Sequence, residues 1–256
     1  MYGVWGKGIC MIHYHGTPIS GTKEQAVRFL TTRHALVSFA SPGWIDIVAE
    51  CCSSFVLDNG AFSHWKRGEE SDFNRYIGWV ADWCSHPGFD WALIPDVIGG
   101  SEADNDYWLD AWPLDEIAGV PVWHMHESWD RLENLAHGYS RIAIGSSGMW
   151  PTPGTAPWWE RISDAMNHCC DAQGKPLCRL HGLRMMDPAI FSRLPFASAD
   201  SSNASRNAGR VQRFGQYVSP STSIRAEVIA SRIEVFNSSP VWVPGQERLC
   251  DMSLFI

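Results

Sequence analysis

Short apolar runs recur along the 256-residue chain, and longer segments with helical spacing of their apolar residues separate them. Strands that alternate with helices in this way form parallel βαβ units, and eight such strands can close into a barrel. We therefore predict an α/β fold, a single-domain (β/α)8 or TIM barrel, for which about 250 residues suffice. The predicted strands lie near Ile9–His13, Ala35–Ala40, Phe55–Leu57, Trp91–Ile94, Val120–His124, Arg141–Ile144, Leu177–Leu180 and Phe196–Ala199.

The whole chain, residues 1–256, is expected to be one barrel domain, with residues 211–256 as a C-terminal helix and an irregular tail. The final helix is predicted near Ile224–Phe236, packing across the barrel. An open doubly wound sheet is the competing architecture. It normally carries a glycine-rich phosphate loop after its first strand, and residues 13–16, His-Tyr-His-Gly, are not such a loop.

Composition favours an ordinary intracellular protein. No apolar run approaches the roughly 18 residues that a membrane span needs, and the N-terminus lacks the pattern of a secretory signal. We therefore expect a cytoplasmic protein with no membrane partner. The eight cysteines form no CxxC pair, so we expect them to be reduced, mostly as small apolar residues of the core.

Charge is unevenly distributed along the sequence, although the net charge is −8. Residues 1–174 contain 10 Lys and Arg against 22 Asp and Glu, whereas residues 175–232 contain 9 against 3. Eight of those nine basic residues are arginines, whose planar guanidinium suits bidentate phosphate contacts. The asymmetry is compatible with a polyanion bound on one side, and a solvated basic face is the alternative.

Three carboxylates, Asp58, Asp96 and Asp200, each follow a predicted strand and enter a turn. In a barrel these positions converge on the C-terminal rim, where catalytic groups lie. Two carboxylates there can act as nucleophile and general acid/base at an acetal-type carbon, and a third can accept N–H groups of a heterocycle. The alternative is that each aspartate caps the helix after it.

Five motifs, taken in order, resemble those of the tRNA-guanine transglycosylases, and most closely their short phage and bacterial relatives that insert 7-deazaguanines into DNA. The resemblance covers the chain from about Phe55 to Arg210. The motifs are Leu57–Phe62, Ile94–Asp96, His124–Glu127, Ile142–Ser146, and Ala199–Ser201 followed by Arg206 and Arg210.

The resemblance implies a role for each matching residue. Asp200 would be the nucleophile and Asp58 the general acid/base. Residues implied in binding the base are Asp96, His126, Gly145, Ser146, Asn59 and Gly60, with His126 standing where the tRNA enzymes have a glutamine. Phosphate contacts would come from Arg179, Arg184, Arg206, Arg210 and Arg213, and stacking from Trp65, Trp123 or Trp150.

The implied reaction exchanges guanine in DNA for a 7-deazaguanine, such as the 7-cyano form, through a covalent Asp-glycosyl intermediate. Its partners are DNA, with the target base flipped out of the stack, and the free 7-deazaguanine base; it needs no metal or redox cofactor. Beyond Asp200 the sequence has one cysteine, Cys250, and no histidine, so the zinc subdomain of the tRNA enzymes is expected to be lacking. DNA is therefore favoured over tRNA as the substrate.

Two other functions fit parts of the sequence. His13, His15, His126 and Asp200 resemble the ligand set of a metal-dependent amidohydrolase, in which zinc activates a water molecule. That family has a further histidine after its sixth strand, where this chain has Gly145–Ser147. A non-catalytic nucleic-acid-binding barrel is the third possibility, although such a protein would not need all three carboxylates.

Overall fold

The computed structural model describes residues 10–113, 119–202, 204 and 221–245. In this part of the chain every strand pairs in parallel with its neighbours, so the predicted (β/α)8 architecture is confirmed. The strands are β1 Ile12–Gly16, β2 His34–Ser38, β3 Ser54–Asp58, β4 Phe89–Leu93, β5 Gly119–Val120, β6 Val122–His124, β7 Arg141–Gly145, β8 Arg179–Gly182 and β9 Ser198–Ser201.

Helices lie between the strands and cover the outside of the sheet. They are α1 Lys23–Leu30, α2 Ile45–Cys51, α3 Ala61–Arg67, α4 Phe73–Trp83, α5 Glu102–Ala111, α6 Trp129–Gly138, α7 Ala156–Cys169, α8 Pro188–Phe191 and α9 Thr222–Glu234, with a 3-10 turn at Pro42–Trp44. Several begin at a side-chain cap: Thr22, Asp72, Ser101 and Ser128 each accept a hydrogen bond from a backbone N–H of the first turn.

The barrel closes through one interrupted strand. β5 pairs with β4 and β6 pairs with β7, and only Pro121 separates β5 from β6 in sequence. Proline has no N–H to give to a ladder, but its carbonyl still accepts a hydrogen bond from Ala143 N at 2.9 Å. Together β5 and β6 therefore act as a single kinked strand, which makes eight strands around the barrel.

Alternation along the strands separates two apolar layers. One layer fills the barrel interior and consists of Tyr14, Leu36, Val56, Trp91, Leu93, Val120, Val122 and Ala143. The larger layer lies between the barrel and its helices. Because successive side chains of a strand point to opposite faces, a residue two positions from an interior residue also points inward. This rule decides which polar residues reach the rim.

The first strand begins three residues later than predicted, at Ile12 instead of Ile9, and this changes the location of two histidines. Tyr14 points into the interior, so His13 and His15 on either side of it point outward. His13 packs edge-on against Phe191, and His15 Nε2 lies 2.7 Å from Glu234 Oε1. Neither histidine lies on the rim.

Helix α9 confirms the predicted final helix, shifted by two residues, but it does not cross the barrel end. It packs on the outside beside α1, where Glu234 also forms an ion pair with Arg33 at 2.8 Å and Glu227 one with Arg28 at 3.1 Å. It thus covers the outer face of β1. The predicted tail from Pro240 lies partly outside the described residues.

Within the described residues no helix is both long and apolar enough to cross a membrane. The seven cysteines described there are all unpaired, as expected, and their exposure ranges from the buried Cys169 to the exposed Cys10.

The turn after β3 requires glycine at position 60. Its φ is +78°, and a Cβ there would lie 2.8 Å from Ala40 N. Gly99 has a similar φ of +72° but open space around its Cα. A Gly99→Ala variant therefore tests the backbone strain alone, and Gly60→Ala tests strain together with a clash.

We expect Gly99→Ala to lower the free energy of unfolding by about 1–2 kcal/mol, since an L-residue is strained in the left-handed region. Gly60→Ala should cost more, by at least about 1 kcal/mol beyond Gly99→Ala, because the Ala40 backbone must move. Urea denaturation of the two variants measures the difference. Equal losses would show that the contact with Ala40 is relieved without cost.

Candidate active site at the C-terminal rim

Asp58 ends β3 and is partly buried among the carboxylates of the rim. Its Oδ2 accepts a hydrogen bond from Gly60 N at 3.3 Å, and the Ser38 hydroxyl also bonds its carboxylate. Burial, with repulsion from Asp96 and Asp200, raises the pKa of Asp58 to about 7, despite those two hydrogen bonds. A carboxyl group with this pKa can both give and take a proton near neutral pH.

Asp96 is buried and is held by two side chains. Asn59 Nδ2 donates to Asp96 Oδ1 at 2.7 Å and to the Ile94 carbonyl at 3.1 Å. His124 Nε2 lies 3.0 Å from Asp96 Oδ2. Both carboxylate oxygens thus have a partner, and the carboxylate plane is set by the ends of β3 and β6.

A further layer of hydrogen bonds supports His124. Glu127 Oε2 accepts from the backbone N–H of His124 at 2.8 Å, and Asn105 Nδ2 donates to Glu127 Oε1 at 2.8 Å. Asn105 Oδ1 in turn accepts from Val97 N at 2.7 Å, one residue after Asp96. The loops after β4 and β6 are therefore tied together around the Asp96–His124 pair.

Asp200 lies in β9 and is also buried, with 5% of its surface exposed. Its Oδ1 accepts a hydrogen bond from the backbone N–H of Arg184 at 2.8 Å, and His181 Nε2 lies 3.3 Å from the same oxygen. Arg184 has a φ of +57°, a strained conformation for a non-glycine residue. The chain thus adopts an unfavourable conformation at the residue whose N–H binds Asp200.

The other predicted base-binding residues have more varied positions. Asn59 is buried and contacts Asp96, so it holds a carboxylate and does not line an open surface. Gly145 lies beside His124, and a Cβ on it would come within 3.3 Å of His124 Nδ1. Ser146 accepts from Trp158 Nε1 at 2.9 Å, which ties its hydroxyl to α7.

His126 is exposed and both of its ring nitrogens already have partners. Nδ1 lies 2.8 Å from Ser147 Oγ, and Nε2 lies 3.1 Å from the Gly100 carbonyl, to which it must donate. Its ring stacks on that of His124 at 5.6 Å. Of the two histidines in this motif, His124 is therefore the one that reaches Asp96.

The predicted nucleic-acid residues divide between the two ends of the barrel. Arg184 is on the rim, with its guanidinium 3.8 Å from the centre of the Phe62 ring and attracted to Asp200 and Asp58. Arg179 begins β8, so it lies at the opposite end from the three carboxylates, and its phosphate contact stays a prediction. Arg206, Arg210 and Arg213 lie outside the described residues.

Among the tryptophans proposed for stacking, Trp65 alone is largely exposed, at 59%. Trp123 is fully buried and stacks on Trp129, so its proposed role in stacking is wrong. Trp150 lies under the guanidinium of Arg161, 4.7 Å from the ring centre. A stacking surface for a nucleic-acid base therefore reduces to Trp65 and its neighbour on α3, Phe62.

Sequence reasoning assigned no role in base exchange to His124 or His181, although His124 begins one of the five motifs. Strand alternation indicates the direction of both side chains: Val122 is an interior residue, so His124 also points inward, and Leu180 packs in the outer layer, so His181 points inward. In the structure both histidines lie inside their strands, His124 at the last position of β6 and His181 at the third position of β8.

The ligand set of the amidohydrolase alternative does not assemble. His13 and His15 point to the outer helices, His126 is tied to Ser147, and Asp200 points into the barrel. In the part of the chain that the structure describes, no group of three or more His, Cys, Asp or Glu side chains is arranged to hold a metal ion. That alternative therefore loses its structural basis.

No family model matches this sequence, and no curated protein matches it. Solved structures that resemble it include a protein of Aquifex aeolicus VF5, with a TM-score of 0.50, 10% identity, and coverage of 90% of this chain and 95% of that one. A tryptophan synthase alpha-subunit from Pyrococcus furiosus has a TM-score of 0.49 at 12% identity, covering 88% and 99%. A putative fructose-1,6-biphosphate aldolase from Coccidioides immitis has 0.45 at 14%, covering 88% and 90%. At such identities the likeness concerns the fold alone.

The Asp96–His124 contact predicts a pH-dependent contribution to stability. Burial lowers the pKa of His124, but Asp96 and Glu127 outweigh it, so the pKa lies above 6.5. The stabilisation is therefore present in full below the unfolded pKa and is lost as pH rises through the folded one. We expect His124→Gln to lower the free energy of unfolding by about 2 kcal/mol at about pH 6 and by less at about pH 9.

Urea denaturation at the two pH values checks this difference. The matched control is His137→Gln, an exposed histidine in the last turn of α6, which should stay within about 0.5 kcal/mol of wild type. A loss at His124→Gln that is the same at both pH values would mean that the imidazole is not charged in the pair.

Proposed function

We propose that this chain is a guanine transglycosylase, an enzyme that replaces guanine in DNA with a 7-deazaguanine through a covalent intermediate on Asp200. The observation that carries the proposal is the set of three carboxylates at one end of a barrel, each held differently and one with a pKa of about 7. Glycosyl exchange with a covalent intermediate needs a fixed nucleophile and a separate proton carrier. Asp200 and Asp58 meet these two requirements.

Asp96 suits the recognition of guanine. The Watson–Crick edge of guanine presents adjacent N–H donors, and a carboxylate can accept from both. Asn59 donates to one oxygen of Asp96 and His124 Nε2 forms a charge contact with the other, and each oxygen still has a lone pair that can accept. The two partners orient this carboxylate before a base arrives.

The rim beside these carboxylates offers a surface for unstacked nucleic acid. Phe62 and Trp65 are 37% and 59% exposed, and their ring centres are 5.8 Å apart on α3. The guanidinium of Arg184 lies over the Phe62 ring, and Lys66 and Arg67 are exposed on the same helix. Exposed aromatic rings beside cationic groups bind the bases and phosphates of extruded nucleotides.

The two steps balance as follows. The Asp200 carboxylate forms a bond to the sugar C1′ while the C1′–N9 bond breaks, and the bonding pair leaves with guanine, which takes a proton from Asp58. The N9 of the incoming 7-deazaguanine then attacks C1′, the C1′–Asp200 bond breaks, and the proton from N9 returns to Asp58. Two displacements at one carbon give net retention.

Asp200→Ala tests the nucleophile directly. Incubating the protein with duplex DNA, and separately with tRNA, plus labelled guanine or 7-cyano-7-deazaguanine should place label in DNA. The variant should lose incorporation by at least about 10³-fold, because no covalent intermediate can form. In the wild type without an incoming base, a denaturing gel should retain a protein–DNA adduct.

The matched control is Asp187→Asn, an exposed aspartate nearby that caps α8 and can be replaced by another good capping residue. It should exchange bases at the wild-type rate. Exchange by Asp200→Ala at that rate would overturn the nucleophile, and label in tRNA alone would overturn the choice of DNA.

The pKa of Asp58 predicts the pH dependence of the first step. Asp58 must be protonated to deliver its proton to the departing guanine, so single-turnover guanine release should be constant below about pH 7. Above that value it should fall about tenfold per pH unit. Asp58→Asn should be slower by about 10²–10⁴-fold and lose this limb of the profile. If the rate of guanine release by Asp58→Asn still falls above about pH 7 as in the wild type, a group other than Asp58 supplies the proton.

A further inference from the structure

His181 lies inside the barrel directly below Asp200 and is completely buried. Its ring packs edge-on against Trp91 at 4.8 Å and Tyr14 at 6.0 Å, both interior residues. Its two nitrogens face different partners: Nδ1 is hydrogen-bonded to Ser198 Oγ at 2.9 Å, and Nε2 lies 3.3 Å from Asp200 Oδ1, a charge contact without the alignment of a hydrogen bond. The imidazole therefore connects the rim carboxylate with the hydroxyl at the start of β9.

The tautomer of His181 follows from the charged groups at its two ends. Arg141 Nη1 donates to Ser198 Oγ at 3.0 Å, and a guanidinium can only donate. With one lone pair of Ser198 so engaged, its own proton is free to point at His181 Nδ1. The ring proton then resides on Nε2, facing Asp200 Oδ1, which is the charge partner of this buried nitrogen. The opposite tautomer would direct a lone pair at a carboxylate.

The Asp200 carboxylate is held asymmetrically. Among the described residues, the backbone N–H of Arg184 and the imidazole of His181 both contact Oδ1. No hydrogen bond within that part of the chain engages Oδ2. A carboxylate fixed through one oxygen presents the other in a defined direction.

We propose that His181 is a positioning residue for Asp200: its Nε2–H, set by Ser198 and Arg141, holds Oδ1 together with the Arg184 N–H, so that Oδ2 attacks the sugar C1′. This rests on the proposed function of the site. The bond formed is Oδ2–C1′ and the bond broken is C1′–N9, and His181 neither gains nor loses a proton in either step.

The charge state of His181 is consistent with this role. Burial lowers its pKa, and although contact with Asp200 opposes the effect, the pKa remains below 6.5. The ring is therefore neutral at neutral pH and carries a single N–H. Which nitrogen carries that proton decides whether Asp200 is held or repelled.

Two substitutions at His181 separate positioning from packing. In His181→Gln the amide nitrogen can occupy the place of Nε2 and still donate to Asp200, whereas the shorter amide of His181→Asn reaches only toward Ser198. We expect His181→Asn to lower kcat by about 10²-fold with KM changed less than about twofold, since a small misplacement of the reacting atom affects the chemical step. His181→Gln should stay within about fivefold of wild type.

A purely structural role would make the two variants lose activity equally, in proportion to their stability. Far-UV circular dichroism and urea denaturation monitor folding in parallel. Equal kcat values for the Asn and Gln variants, or a wild-type kcat for His181→Asn, would overturn the proposal.

A measurement that needs no substrate tests the tautomer. In ¹⁵N-labelled protein the imidazole correlations of His181, assigned by their loss in His181→Gln, should show the proton on Nε2. Ser198→Ala removes the donor to Nδ1 and should weaken this preference. A proton on Nδ1 in the wild type would overturn the positioning role even if the protein exchanges bases. If the proton lies on Nε2 but no base exchange occurs with DNA or tRNA, the proposed function is wrong, whereas the conclusion that His181 positions Asp200 is kept.

Discussion

The properties of the barrel rim depend on the free-energy cost of placing three carboxylates close together in a partly buried region. Burial and the neighbouring Asp96 and Asp200 shift the pKa of Asp58 from 3.8 to about 7, on the order of 4 kcal/mol against its ionised form. Because the folded pKa is raised, this cost appears as pH rises from about 4 to 7 and reduces stability there. A protein tolerates such a site where the cost serves chemistry.

Each of the three carboxylates contacts a different set of donor groups, and this difference gives each a different environment. Asp96 has a side-chain donor on each oxygen, Asp200 has its contacts on Oδ1, and Asp58 has only weak support from Ser38 and Gly60 N. Asp96 is fixed in orientation by its two partners, while the pKa of Asp58 is raised to about 7. Three identical side chains can therefore differ in the way that the three proposed roles require.

Much of the barrel could be predicted from sequence, because buried parallel strands are short continuous apolar runs. The strand predicted near Phe55–Leu57 is observed at Ser54–Asp58, and the strand predicted near Arg141–Ile144 is observed at Arg141–Gly145. The first strand was placed three residues too early, since Tyr14 and its flanking histidines do not read as an apolar run. That shift alone moved His13 and His15 from the rim to the outer face, because a strand alternates with period two.

The sequence by itself determined the order of strands and helices, and the placement of Asp58, Asp96 and Asp200 at strand ends, because those features depend on local periodicity. Only the tertiary structure decided which polar side chains meet. His124 and His181 lie 57 positions apart in sequence, and each reaches a different aspartate: His124 meets Asp96 where the barrel closes through β5 and β6 around Pro121, and His181 meets Asp200 through the pairing of β8 with β9. Contacts between distant strands depend on closure and register, and no local pattern encodes either.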